Sequence, residues 1–194
     1  MIVLGVDPGV SETGWAVLDG DPGRPARLLD SGLIRTRPGV PLPERLVQIH
    51  AALGAVIAEH RPAAAAVEEM FFLKAAHTVR ATLQARGVVL LAAAQGKIPV
   101  SEYNPRQVKL ALTGSGAAVK SQMQRMVRHA LSLAEELRPD DVADAAAIAL
   151  CHLRLCRAKS LVVLERIGAP GGTALGGRPF SSPGKGGGSG KTHS

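Results

Sequence analysis

The chain has 194 residues, 46% hydrophobic, 20% charged and 3% aromatic, with a formal net charge of +7. That is enough for one domain with one real core. The longest apolar stretch, residues 87–94, is far too short to span a bilayer, and no basic region precedes an apolar signal core, so neither a helical membrane span nor a secretory leader is expected.

The charge is unevenly spread. Residues 157–194 hold six Lys or Arg against the single acid Glu165, whereas residues 1–156 hold 17 basic and 15 acidic residues. Between Lys74 and Arg128 nine basic residues face one acid, Glu102. A basic stretch beside a separate acidic set fits a polyanion held near a metal, although scattered Lys and Arg are more often solvated helix surface. Cys151 and Cys156 lie five apart in a helical pattern and match no metal-ligand spacing, so they read as reduced, partly buried thiols of a cytosolic protein.

In chain order, residues 2–7 form a continuous apolar run that predicts a central strand, broken by Pro8 and Gly9. Strands over 14–19 and 26–36 follow through short links, as in an antiparallel meander. The period then changes: Leu42, Leu46, Ile49, Leu53, Val56 and Ile57 mark one helix face, which Pro62 stops. A strand over 63–70 completes a strand–helix–strand crossover, which makes it parallel to the first. An Ala-rich helix is expected over 74–94 and a fifth strand over 98–102. Asn104 and Pro105 suit the start of a short helix. Residues 114–116, Gly-Ser-Gly, read as a hinge, with helices following at 118–133 and 140–156. The order predicts an α/β fold: a mixed five-stranded sheet, three antiparallel strands then parallel ones, flanked by helices on both faces. Residues 1–157 make the domain, and the basic Gly/Ser/Pro-rich stretch 158–194 is expected to be disordered.

Four acids stand at the ends of apolar segments. Asp7 closes the first strand, Glu68 closes the fourth, and Asp141 and Asp144 share one face at the start of the last helix. An acid at the end of a core strand is costly to bury without a cation or a hydrogen-bonding partner. Hard divalent cations take oxygen ligands, and phosphodiester cleavage uses two of them about 4 Å apart, with one carboxylate bridging. Asp7 suits the bridge because a central strand fixes its backbone. Each acid has a plainer reading, as a turn residue or a helix-start residue. Glu69 competes with Glu68, and only one of two adjacent strand residues can point at Asp7.

The pieces Gly5-Val6-Asp7-Pro8-Gly9 with Thr13-Gly14, Val67-Glu68, Phe71, Gln84-Ala85-Arg86-Gly87, Arg106-Gln107-Val108-Lys109, residues 114–122 with Lys120, and Asp141-Val142-Ala143-Asp144-Ala145 occur in order. As a set, over residues 1–157, they resemble the RuvC family, the bacterial Holliday-junction resolvases of the RNase H-like superfamily. The resemblance implies a catalytic tetrad of Asp7, Glu68, Asp141 and Asp144, with Glu68 taken over Glu69. It implies Mg²⁺, with Mn²⁺ as a substitute, two ions per site, a homodimer, and paired symmetric nicks across a four-way junction in recombination and repair. It also implies partnership with the RuvA–RuvB branch-migration machine and a cytoplasmic, nucleoid-associated location. Lys109 and Lys120 resemble family lysines near the scissile phosphate.

Other residues suit such a role on their own chemistry. Lys120, after the 114–116 hinge, could reach a phosphate and stabilise developing charge, or be a solvated helix-start lysine. Of Phe71 and Phe72, a solvent-facing one, with Phe71 the candidate, could stack on an unpaired base, and at least one of the two is expected to be core. Arg80 and Arg86 are candidate DNA-backbone contacts or plain surface charge, and Tyr103 and Trp15 are assigned to packing. Asp140 is an extra acid with no assigned role. The helix over 74–94, apolar nearly all round, is expected at a twofold contact, or packed on the sheet. Competing readings are an RNase H acting on RNA–DNA hybrids, a non-catalytic junction-binding protein, and a two-domain ATPase. The chain is too short for the last.

Overall fold

The computed structural model describes residues 1–21, 24–69 and 76–168; of the last stretch, side chains are described for 80–156. Five strands form one sheet: β1 (Ile2–Asp7), β2 (Glu12–Asp19), β3 (Arg27–Arg35), β4 (Ala64–Glu68) and β5 (Val100–Tyr103), in the order β3-β2-β1-β4-β5. β1 runs antiparallel to β2 and parallel to β4, and β4 runs parallel to β5. The expected mixed sheet is therefore present. Five helices complete the fold: α1 (Leu42–His60), α2 (Ala76–Gln95), α3 (Pro105–Thr113), α4 (Lys120–Ala130) and α5 (Asp140–Gly168). Among the described residues no helix is long and apolar enough to cross a membrane.

The alternation of side chains along β1 sorts the core into two halves. Leu4 and Val6 point to one face with Val17, Ala65 and Val67, where α1 and α2 cover them. Val3 points to the other, with Ala16, Leu18, Ala66 and Tyr103, under α3, α4 and α5. Gly5 and Asp7 share the Val3 face, as Glu68 shares that of Ala66, so both strand acids come out beneath α5.

That approach depends on missing side chains. A Cβ on Gly5 would lie 2.1 Å from the Ala145 carbonyl oxygen, and one on Gly14 would lie 2.0 Å from that of Asp141. Gly14 is the register partner of Asp7. The Ala-rich start of α5 is thus laid directly on the β1–β2 pair, with Asp141 over the end of β1.

Some boundaries differ from expectation. β2 begins at Glu12, two residues early, because Thr13 is fully buried and ties back to the preceding turn. α4 covers 120–130 rather than 118–133: Ser132 turns the chain with φ of +53°, a left-handed residue with no glycine to signal it. α5 continues past 156 to Gly168, since no Gly or Pro interrupts that stretch. The 114–116 hinge is a built turn: Gly114 caps α3 in the left-handed region, and Thr113 Oγ1 donates to the Lys109 and Ser115 carbonyls. Lys74 and the helix start proposed there lie outside the described residues.

Candidate active site

The end of β1 is held rigidly. The Thr13 hydroxyl donates to the Gly9 carbonyl at 2.6 Å, which closes the Asp7-Pro8-Gly9 turn. Val6 pairs with Val67, so Glu68 at the end of β4 comes out level with Asp7 at the end of β1. The two carboxyls are near enough to shift each other's titration.

A cleft of about 220 Å³ opens above them, lined by Glu68, Lys109, Lys120 and Asp144 with Val108 and Met123 among its apolar wall. α3 contributes Lys109, capped at its start by Asn104, whose side chain accepts from the Gln107 N–H at 2.8 Å. α4 contributes Lys120 at its first position and α5 contributes Asp144. Asp141 lines the adjoining groove, with Glu12, Arg35, Arg138 and Asp140. The structure thus brings Glu68, Asp144, Lys109 and Lys120 into one cleft, with Asp7 beside Glu68 and Asp141 in the adjoining groove. Three residues along a helix leave about 60° between side chains, which is why the two aspartates open onto neighbouring grooves.

The electrostatics record how closely the acids are set. Burial, then the charges of Glu68 and Asp144, push the Asp7 carboxyl up to about 8; Asp141 adds to it. Burial also raises Glu68, against the neighbouring Asp7 carboxyl, which lowers it. Asp144 is raised by burial although Lys120 draws it down. Lys120 Nζ lies 2.9 Å from Asp140 Oδ2 and 3.9 Å from Asp144 Oδ2. The Asp140 hydrogen bond raises the Lys120 ammonium, and Lys120 in turn lowers Asp140.

Does this set suit a divalent cation? All four donors are carboxylates, the hard ligands such ions prefer, and burial raises Asp7, Glu68 and Asp144 above the ordinary carboxylate range. Among the described residues no three His, Cys, Asp or Glu stand close enough to hold one ion together. The donor chemistry fits such an ion, with the acids near enough to shift one another's titration.

The other candidates divide. Arg80 is exposed on α2. Arg86 is mostly buried and forms an ion pair with Glu102 of β5, so it is already committed within the fold. Phe71 and Phe72 lie outside the described residues. Tyr103 is packing, as expected, but also shares a 2.8 Å hydrogen bond with His152 Nδ1. His152, buried on α5, was not singled out from the sequence, and Thr13 entered only as part of a motif; only the fold gives them partners. Cys151 and Cys156 form no disulfide, Cys156 Sγ lies 3.4 Å from His152 Nε2, and burial pushes Cys151 up to about 11, which makes it inert.

Comparison with known proteins agrees with this arrangement. The family model described as RuvC, crossover junction endodeoxyribonuclease, matches residues 3–152. The RuvC of Chloroflexus aggregans is 53% identical over 152 residues, covering 78% of this chain and 92% of that protein. The structure of Thermus thermophilus RuvC superposes with a TM-score of 0.76 at 42% identity, over 82% of this chain and 97% of that one. T. thermophilus RuvC in complex with a Holliday junction substrate gives the same TM-score at 39% identity, over 81% and 96%. With its mixed sheet, its α5 laid over Asp7 and its acids gathered at the end of β1, the chain belongs to the RuvC family of crossover junction endodeoxyribonucleases.

Proposed function

We propose that the chain is a metal-dependent endonuclease that resolves Holliday junctions in recombination and repair. The observation that carries this is the meeting of Glu68 and Asp144 with Lys109 and Lys120 around one cleft, with Asp7 close beside Glu68, in a chain of this family. Nucleases of this family depend on divalent metal. We assign the ligand set to Asp7, Glu68, Asp141 and Asp144, and the ion to Mg²⁺, two per site, with Mn²⁺ able to replace it. Bound there, such ions supply a nucleophilic water at neutral pH and neutralise the leaving 3′-oxygen.

The protein's own groups do the rest. Lys120, at the mouth of the cleft, meets the phosphate and stabilises the charge that builds on its oxygens. Lys109, on the opposite wall, holds the DNA backbone in register. Arg80 and Phe71 extend the DNA contact; Arg86 supports it from within its ion pair with Glu102. Residues 1–157 are the nuclease unit and 158–194 stand outside it, consistent with the family match ending at residue 152.

The active form is a homodimer that cuts two strands of like polarity in concert, working with the RuvA–RuvB complex in the cytoplasm, at the nucleoid. α2 supports that assignment. Ala85, Val89, Ala92 and Ala93 pack it against the core, while Gln84, Gly87, Leu91 and Ala94 form an exposed stripe. The test is a substrate panel: a mobile four-way junction, plain duplex and an RNA–DNA hybrid, each with and without Mg²⁺. Junction-selective nicking that requires Mg²⁺ supports the reading. Preferential cutting of the hybrid would make the chain an RNase H, and binding without cutting would make it a junction-binding protein.

A further inference from the structure

Asp140 lies outside the four acids, yet its carboxylate is the most fully engaged of the group. It is the first residue of α5, and it faces α4. Gln124 Nε2 donates to Asp140 Oδ1 at 2.7 Å, and Lys120 Nζ lies 2.9 Å from Asp140 Oδ2. Lys120 and Gln124 are four apart on α4, so one carboxylate grips one face of that helix with both oxygens. Arg138 stands 3.8 Å from Oδ1 as a weaker third neighbour. The same lysine is 3.9 Å from Asp144, a member of the cleft.

Two plainer roles fit poorly. Both oxygens already have donors, and Asp140 lines the adjoining groove rather than the cleft, so it is badly placed as a cation ligand. Nor is stability its purpose: the Lys120 and Asp140 side chains are 55% and 42% exposed, and ion pairs that wet contribute little. What the pair does fix is position. A lysine has four rotatable side-chain bonds, and without a partner its ammonium would sample a wide volume.

We propose that Asp140, with Gln124, is a positioning residue that holds the Lys120 ammonium at the mouth of the carboxylate cleft, where it meets the scissile phosphate. The proposal rests on the nuclease reading above. It assigns the extra acid beside the third ligand a function through Lys120 and no direct part in the chemistry.

The test uses the full chain as Asp140→Asn, Asp140→Glu, Lys120→Ala and the Asp140→Asn/Lys120→Ala double variant. Single-turnover nicking of a four-way junction is measured with Mg²⁺, alongside junction affinity. Lysine acylation is followed by mass spectrometry on the metal-free, DNA-free protein. Asp140→Asn should slow nicking about tenfold with affinity unchanged, because a misplaced charge forfeits transition-state stabilisation. Asp140→Glu should recover most of the rate, and the double variant should be no slower than Lys120→Ala. Lys120, but not Lys109, should become more reactive to acylation in Asp140→Asn. Losses that multiply in the double variant, unchanged Lys120 reactivity, or a rate restored by raising Mg²⁺ would each overturn the proposal, the last by making Asp140 a cation ligand. A wild-type chain that leaves the junction whole sinks the nuclease reading and this proposal together; normal nicking with unchanged Lys120 reactivity sinks the proposal alone.

Discussion

Burial and three neighbouring acids hold the Asp7 carboxyl protonated up to about pH 8, against an ordinary value of 3.8. Between those two values the folded protein binds more protons than the unfolded chain, so its stability falls as pH rises through that window. Glu68 and Asp144 are raised as well and act in the same direction. In EDTA the wild type should therefore melt several degrees lower at pH 8 than at pH 5, at about 2–4 °C per kcal/mol for a chain of this size. Asp7→Asn, which has no proton to lose, should show a much shallower fall; equal pH slopes for the two by calorimetry would contradict the coupling. At this scale the sequence was informative for types and weak for partners. Asp7 and Glu68 could be chosen because an acid ending an apolar strand needs a reason. Glu68 over Glu69 follows in the fold from alternation, which turns Glu68 to the α5 face with Ala66. Arg86 could not be separated from Arg80, because its ion pair with Glu102 joins residues distant in sequence.

α5 is the element that makes the site, and two glycines let it do so. Gly14→Ala would drive a Cβ to 2.0 Å from the Asp141 carbonyl, so the helix must move. We expect a loss of about 1–3 kcal/mol, as for other overpacked contacts, and a fall in nicking larger than the fall in stability explains. Gly54 on α1 is the control: a Cβ there meets nothing within 4 Å, so Gly54→Ala should gain about 0.5–1 kcal/mol from helix propensity and leave nicking intact. Urea denaturation with junction assays on both variants checks this, and equal effects would refute the role given to Gly14. Apolar periods revealed the strands and α1, while α3 was legible from the Asn104-Pro105 start and α4 from the Gly-Ser-Gly break before it. Their ends were less legible. Ser132 turns the chain where a glycine would be expected, and α5 passes residue 156 because its continuation lacks any breaker. The close seating of α5 on Gly5 and Gly14 was hidden, because a glycine in a strand run signals close approach without naming what approaches.

For the whole molecule, charge and symmetry set the remaining expectations. The basic side chains on α3 and α4 face the same cleft as the acids, so junction affinity should fall steeply with salt while the nicking rate of bound complex changes little. If α2 forms the twofold contact, Leu91, 51% exposed on its stripe, should be central to it. Leu91→Glu should shift the protein toward monomer in sedimentation velocity and uncouple the two cuts; an unchanged dimer would move the interface elsewhere. The overall architecture was readable from element order alone, because a meander followed by a crossover permits few sheets. The convergence of acids from β1, β4 and α5 is the part on which the proposed function depends. Its most direct measurement is nicking of a mobile four-way junction, labelled strand by strand, by wild type and Asp7→Asn with and without Mg²⁺. The account predicts symmetric cuts in two strands of like polarity for wild type with Mg²⁺, a loss of at least about 100-fold for Asp7→Asn, and retained junction binding. Equal cutting by Asp7→Asn, or cutting that needs no divalent metal, would contradict it.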